Sequence, residues 1–371
     1  MYKYITIIIL VLCVCSSCRQ IYDPDVKPDQ SGLVVAGLMT DQPGPYYVKL
    51  SKALPYDSSG LNPPVRSAKV TIMDDCGGSY KLEETETGTY VSNPSDLIGV
   101  PGRSYTLHIE TSDGNIYESA SQLLLPNNYN ANTYGELTTR DILVEDFYGQ
   151  VSKLTIQGID LLVDIKNTTD TIVRFRFQPA VTTEYSYSIT ITPMLTYIFY
   201  CWANTALNDL VNITDEKYQI SSNDILKHSI CFIPTVYTYS ATYRDSVSKK
   251  DSILNAPIVN RVIKVNRYCL NNESYQFYKN VNSLLAAQGK IFDPIASQFN
   301  GNIACKNNPQ KIALGFFEAS SVTISYYASR PGQKIIKNVP SFNLPSPFGC
   351  VGGISSEDPL ASNKPPDFWI Y

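Results

Sequence analysis

The chain has 371 residues, 43% hydrophobic, 17% charged and 11% aromatic, with 30 Lys and Arg against 34 Asp and Glu for a formal net charge of −4. That apolar fraction excludes a disordered chain, and the length admits two domains of ordinary size. A mildly acidic balance without a basic block argues against nucleic-acid binding. With 27 Tyr and only 2 His, the composition favours β-structure and surface recognition over His-based catalysis.

Met1–Ser17 reads as an export signal. Lys3 gives the positive start, and Ile5–Val14 is apolar but too short to span a bilayer. Ser16-Ser17 then lead into Cys18, the pattern of a bacterial lipoprotein signal whose cysteine thiol takes diacylglycerol before cleavage. The new N-terminus gains a further acyl chain. At ~0.8 kcal/mol per buried methylene, two or three chains anchor stably where one does not. Cys15 stands where Leu is usual, and the alternative is a cleaved secretory peptide that leaves Cys18 an ordinary thiol. Arg19, rather than Asp, follows the acceptor, which favours the outer membrane. Residues 18–31, with Pro24, Pro28 and several charges, form a tether.

From Gly32 the texture changes to short alternating runs. Val70 and Ile72 alternate with Lys69 and Thr71, and Tyr105, Leu107 and Ile109 with Thr106, His108 and Glu110. This period of two marks half-buried antiparallel strands, and Asp113-Gly114 supplies a hairpin turn. Residues 32–125 are therefore expected to form an immunoglobulin-like or prealbumin-like β-sandwich. Pro126–Asp146 reads as a polar connection, and residues 126–371 as a larger β-rich domain with one helix near 272–288. Asn271 or Asn272 caps that helix and Glu273 lies in its first turn. Phe277, Tyr278, Val281, Leu284 and Leu285 form an apolar stripe expected to be core, and Gly289 stops the helix. Lys311–Phe317 and Ser320–Ser329 read as closing strands. Pro331–Tyr371 is Pro-rich and reads as an extended wrap.

The chemistry-bearing residues are sparse. Outside the signal and anchor, Cys76, Cys201, Cys231, Cys269, Cys305 and Cys350 remain, an even number compatible with disulfides in an exported protein. Cys201–Cys231 is one conceivable pair. None has a metal-ligand spacing, so no metal and no cofactor are expected. His108 falls on the polar side of a strand and His228 in a polar stretch before one, without a nucleophile elbow. Asp74-Asp75 and Glu83-Glu84 could serve glycoside cleavage, but neighbours on a strand point to opposite faces, and turn or surface roles are expected. The aromatic groups Tyr185-Tyr187, Tyr197-Phe199-Tyr200-Trp202 and Tyr237-Tyr239-Tyr243 suit interfaces or sugar stacking, although most are expected simply to fill strands. Asp170-Thr171-Ile172, Asp245-Ser246-Val247 and Asp251-Ser252-Ile253 resemble the Asp-Ser/Thr-aliphatic sites of periplasmic O-glycosylation in Bacteroidota.

Several stretches together resemble one family, the Bacteroidota outer-membrane lipoproteins grouped as domain of unknown function 4249. They are Cys18, Leu33–Leu38, Asp41–Pro45, Ala68–Ile72 before Asp74, the helix from Tyr275 to Gly289, Ile291–Pro294, Gly301-Asn302-Ile303, Leu314–Phe317 and Lys364–Trp369. The resemblance implies an outer-membrane lipoprotein with an N-terminal immunoglobulin-like sandwich and a second β-rich domain. It also implies similarity to accessory subunits of TonB-dependent transporters. No catalytic residue comes with it, and only Cys18 is carried over, as the lipidated residue. The expectation is thus a non-enzymatic accessory lipoprotein of such a nutrient transporter, with no nucleic-acid partner. A fimbrial-like surface adhesin is the alternative, and a carbohydrate-active hydrolase stands last.

Overall fold

The computed structural model describes residues 32–54, 62–145, 149–169, 171–192, 195–207, 211–214, 224–235, 238–244, 251–287, 301–329, 362 and 364–369. The signal, Cys18, the tether, Gly289, Ile291–Pro294, Cys350 and most of the Pro-rich tail lie outside the described residues. The fold is mainly β, with one helix among the described residues.

Residues 33–123 form β1 (Leu33–Met39), β2 (Tyr47–Lys52), β3 (Lys69–Asp74), β4 (Ser79–Glu86), β5 (Thr89–Ser92), β6 (Ser104–Glu110), β7 (Ile116–Ser119) and β8 (Gln122–Leu123). The alternation predicts the buried face correctly, since Val70, Ile72, Tyr105, Leu107 and Ile109 all enter one core. Gly114 turns at φ +81 between β6 and β7, where a side chain would be strained.

Pro126–Asp146 is not the polar connection expected. It is mostly β9 (Asn130–Glu145), paired along its length with β10 (Val151–Lys166). Its polarity is that of a strand at the edge of a sheet, where one flank meets water. There follow β11 (Phe175–Thr192), β12 (Leu195–Ala206), β13 (Asn212–Ile213), β14 (Ile225–Pro234), β15 (Thr238–Arg244) and β16 (Asp251–Cys269). The helix α1 (Asn272–Ala287) leads to β17 (Ile303–Cys305), β18 (Ala313–Ala319) and β19 (Val322–Ser329).

Among the described residues these strands form three sheets. The first runs β17-β7-β6-β3-β4-β5-β2-β1-β18, with β8 on β6, and β1 pairs in parallel with β18. The second is β14-β10-β9, and the third is β12-β11-β16-β15 with β13 on β11 and β19 on β16. A second core lies between these two, including Val163 and Ile165 of β10, Phe175 and Phe177 of β11, Ile230 of β14, and Ile263 and Val265 of β16.

The first sheet nearly closes on itself, and a short side chain spans the remaining gap. The Phe317 N–H donates to Asn302 Oδ1 (2.9 Å), and Asn302 Nδ2 donates to the Phe317 carbonyl (2.8 Å). Asn302 thus supplies the donor and acceptor that a neighbouring strand residue would otherwise supply. The approach depends on two glycines. A Cβ on Gly301 would sit 1.5 Å from the Gly315 carbonyl oxygen, and one on Gly315, at φ +92, would sit 1.9 Å from that of Val35.

The helix begins where predicted, with Asn271 as the cap: the Ser274 N–H donates to Asn271 Oδ1 at 2.8 Å. Its expected core stripe is only partly confirmed. Ser274 and Tyr275 are the buried positions, whereas Leu285 is 42% exposed. The helix is held by its first two turns, through Tyr275, Tyr278 and the stacked pair Phe277–Phe316 (ring centres 4.6 Å apart).

Candidate functional site

The predicted titratable residues do not assemble into one site. Cys18 lies outside the described residues. His108 sits on the polar side of β6 as expected, with Nδ1 3.2 Å from Glu118 Oε1 and Nε2 3.6 Å from Glu110 Oε1. His228 departs from expectation: it lies within β14 and is buried, its ring stacked on Phe177 at 5.0 Å and Nε2 2.7 Å from Asn212 Oδ1. An aromatic-stacked imidazole suits a strand that faces the second core.

Asp74 and Asp75 converge rather than diverge, because Asp74 ends β3 and Asp75 is already in the turn. Both hold Arg103, with Nη2 2.8 Å from Asp74 Oδ1 and Nε 2.9 Å from Asp75 Oδ1. The Cys76 and Gly78 N–H groups donate to Asp74, so the pair performs the expected turn role. Glu83 and Glu84 do separate: Glu83 meets Lys81, while Glu84 accepts from the Ser67 and Gly88 N–H groups.

Among the cysteines, Cys231 carries a thiol, as do Cys76, Cys269 and Cys305. Cys201 is disulfide-bonded, but not to Cys231. Cys201 lies on β12 of the third sheet and Cys231 on β14 of the second, so the suggested pair joins strands of different sheets. Burial pushes the Cys269 thiol up to about 12, which keeps it neutral. Of the aromatics, Tyr185 is fully buried and Trp202 nearly so. Asp170 and Asp245–Val247 lie outside the described residues, and Asp251–Ile253 opens β16. Among the described residues, no cluster of three or more His, Cys, Asp or Glu could hold a metal ion, and no helix is long and apolar enough to cross a membrane.

Three other features carry more chemistry. The first is a buried charge cluster where the first sheet, the third sheet and α1 meet. Arg176 Nη2 donates to both Glu318 oxygens at 3.1 and 3.0 Å, and the Tyr278 hydroxyl donates to Glu318 Oε2. The guanidinium lies 4.1 Å from the Tyr268 ring centre. Burial disfavours the Arg176 charge, but Glu318, Tyr278 and Tyr268 together outweigh it and raise its pKa, while burial and Glu318 raise that of Tyr278. Nearby, Gln122 Nε2 donates to Glu273 and Asn271 Nδ2 to Gln122, and the Val322 N–H donates to Asp41.

A cavity of about 250 Å³ is the second feature, opening between β9 and β19. Its deep wall is Val163, Phe177, Ile230, Val265 and Arg267, all buried, whereas Asn130 and Thr323 at its mouth are exposed. Arg267 Nη2 donates to the Tyr129 carbonyl at 2.9 Å.

The third is the far end of the β9–β10 ribbon, beyond the reach of β14. Leu143 and Val151, 76% and 62% exposed, are diagonal neighbours on one face, and Ile142 opposes Leu154 on the other. A separate aromatic strap crosses the third sheet. Ser362 bridges the Trp202 backbone, Trp369 meets Trp202 edge-on at 6.1 Å, and Phe368 stacks on Tyr326 at 5.1 Å. Beside Trp202 on that face lies Glu184, whose carboxyl burial pushes up to about 7.

Sequence reasoning overlooked Arg176, Arg267 and Glu318. A signal was present for Arg267, because Ile263, Val265 and Cys269 face the second core and Arg267 falls in phase with them. A lone charge at an inward strand position marks either a buried pair or a ligand site.

The strands and their two cores define a mainly β protein whose chemistry lies in buried cations and an exposed apolar ribbon. The family model described as Domain of unknown function (DUF4249) matches residues 19–325, and the chain belongs to that family. Lys364–Trp369, which forms the strap, falls beyond the matched stretch. Neither the curated proteins nor the solved structures contain a significant match to the chain.

Proposed function

We propose that this protein is a non-enzymatic lipoprotein, held to the outer membrane by acyl chains on Cys18, that serves as an accessory subunit of a TonB-dependent nutrient transporter. The observation that carries the reading is the ribbon of β9 and β10. At its end the ribbon shows Ile142 and Leu154 on one face and Leu143 and Val151 on the other, beside the Lys153–Asp141 ion pair, and among the described residues nothing covers them; such exposure marks an interaction site. In this reading residues 32–125, completed by β17 and β18, act as the immunoglobulin-like unit, and residues 126–371 as the larger β-rich unit. Two separate hydrophobic cores support that division. The Ser16-Ser17-Cys18 signal supports the anchor and the address, and the family resemblance to Bacteroidota lipoproteins supports the partner.

Gentle detergent extraction and affinity capture of the tagged chain test the proposal. The expected result is co-purification of one TonB-dependent transporter, lost in Leu143→Glu/Leu154→Glu, with release of the chain from the membrane in Cys18→Ala. Recovery of a lone monomer under every growth condition would overturn it. The outer edge of β9 favours a second reading, because an edge strand can accept a strand from another chain. A surface adhesin built by strand addition would yield polymers in the same extract.

A further inference from the structure

We propose that the cavity beside Arg267 binds a small organic carboxylate with an apolar body. The site is independent of the anchoring and transporter reading, and either can fail without the other.

One buried cation at this cavity is uncompensated. Arg267 is 5% exposed, and among the described residues no carboxylate pairs with it. Its Nη2 is used by the Tyr129 carbonyl, and its guanidinium carbon lies 5.2 Å from the Phe175 ring centre. Its Nε is buried and has no hydrogen-bond partner. Arg176, 9% exposed, also leaves its Nε without a partner, but its charge is met inside the chain, where Glu318 accepts from Nη2 twice; Arg267 has no such carboxylate among the described residues. Burying a cation without an anion costs several kcal/mol, and a guanidinium fork fits a carboxylate in two parallel hydrogen bonds. The missing acceptor therefore points to a ligand.

The cavity sets the rest of that ligand. Its volume of about 250 Å³ exceeds the ~150 Å³ that accepts a benzene ring, which leaves room for a ring or branched chain and its acid group. Val163, Phe177, Ile230 and Val265 give an apolar body its wall. Ser325 and Thr323 carry hydroxyls on β19 toward the mouth, and Thr323 is exposed there, so entry needs no rearrangement of the core. One cation in an apolar wall suits a monoanion. A phosphate dianion would need further positive charge, and among the lining residues Arg267 is the one cation.

The test is calorimetric titration of the full chain in detergent with three acids and their neutral amides: benzoate and benzamide, phenylacetate and phenylacetamide, isovalerate and isovaleramide. At least one acid is expected to saturate a single site with a Kd in the millimolar range or tighter, and its amide to bind at least about tenfold more weakly. Arg267→Met should abolish the preference for acid over amide. Because Arg267 also holds Tyr129, a second variant is needed, and Thr323→Trp fills the mouth from an exposed strand position. It should weaken the acid at least about tenfold while the melting temperature is unchanged. If none of the three acids saturates, if each amide binds as well as its acid, or if Thr323→Trp leaves the affinity intact, the proposal is wrong.

Discussion

Replacing Glu318 by Gln should destabilise the chain by about 3–5 kcal/mol, the cost of breaking a buried ion pair from one side. Glu318 is 1% exposed and Arg176 9%, so neither partner can recover its hydration once the other is neutral. At the 3.0 Å contact and an effective dielectric of ~20, the attraction forfeited is about 5.5 kcal/mol. That lies close to the mutational range. In urea, with a slope of about 3 kcal/mol per molar, the midpoint should fall by about 1–1.7 M. Tryptophan fluorescence reports the transition, and Arg176→Met completes the cycle. The double variant Arg176→Met/Glu318→Gln should be less destabilised than the sum of the singles by about 2 kcal/mol or more, because it leaves no naked charge. A loss below about 1 kcal/mol for Glu318→Gln, or strict additivity, would refute the idea that this pair joins the sheets as a desolvated unit.

Two further outcomes follow from the geometry. The Glu184 carboxyl is raised by burial from 4.5 to about 7, so between those values the native chain binds more protons than the unfolded one and stability declines as pH rises. Glu184→Gln removes that decline. Urea melts at a series of pH values should find the variant gaining on the wild type from about pH 4.5 to 8, by at most ~3 kcal/mol and less where water screens the group; a gap independent of pH would contradict the assignment. Asn302→Ala should cost about 2–4 kcal/mol, the loss of two hydrogen bonds to a partly buried backbone position. Amide exchange at Phe317 should accelerate in that variant, and protection unchanged there would show that Asn302 does not close the sheet.

The period of two made the first sheet's buried face legible, since Val70, Ile72, Leu107 and Ile109 needed only their own neighbours to declare it. The cap at Asn271 and the closing strands were likewise local signals. What could not be read was who faces whom across long separations. Pro126–Asp146 looked like a connection because an edge strand carries polar residues for the same reason a loop does. Leu285 belonged to a helical stripe yet lies open, because periodicity records an apolar face without recording what covers it. The cavity residues come from β9, β10, β11, β14, β16 and β19, and no spacing in the chain unites them. Arg267 alone left a trace, as a charge in phase with apolar neighbours.

The parallel pairing of β1 with β18 bears on how the molecule can be assembled. Asp41, just past β1, accepts from Val322, 281 residues away, so an emerging polypeptide keeps its first strand open on one flank until nearly all the rest has been delivered. Such long-range closure is slow and leaves sticky intermediates exposed meanwhile. A fragment cut after residue 125 would retain that open flank, and biochemists who want this leading third in soluble form will need to graft the later strands back onto it.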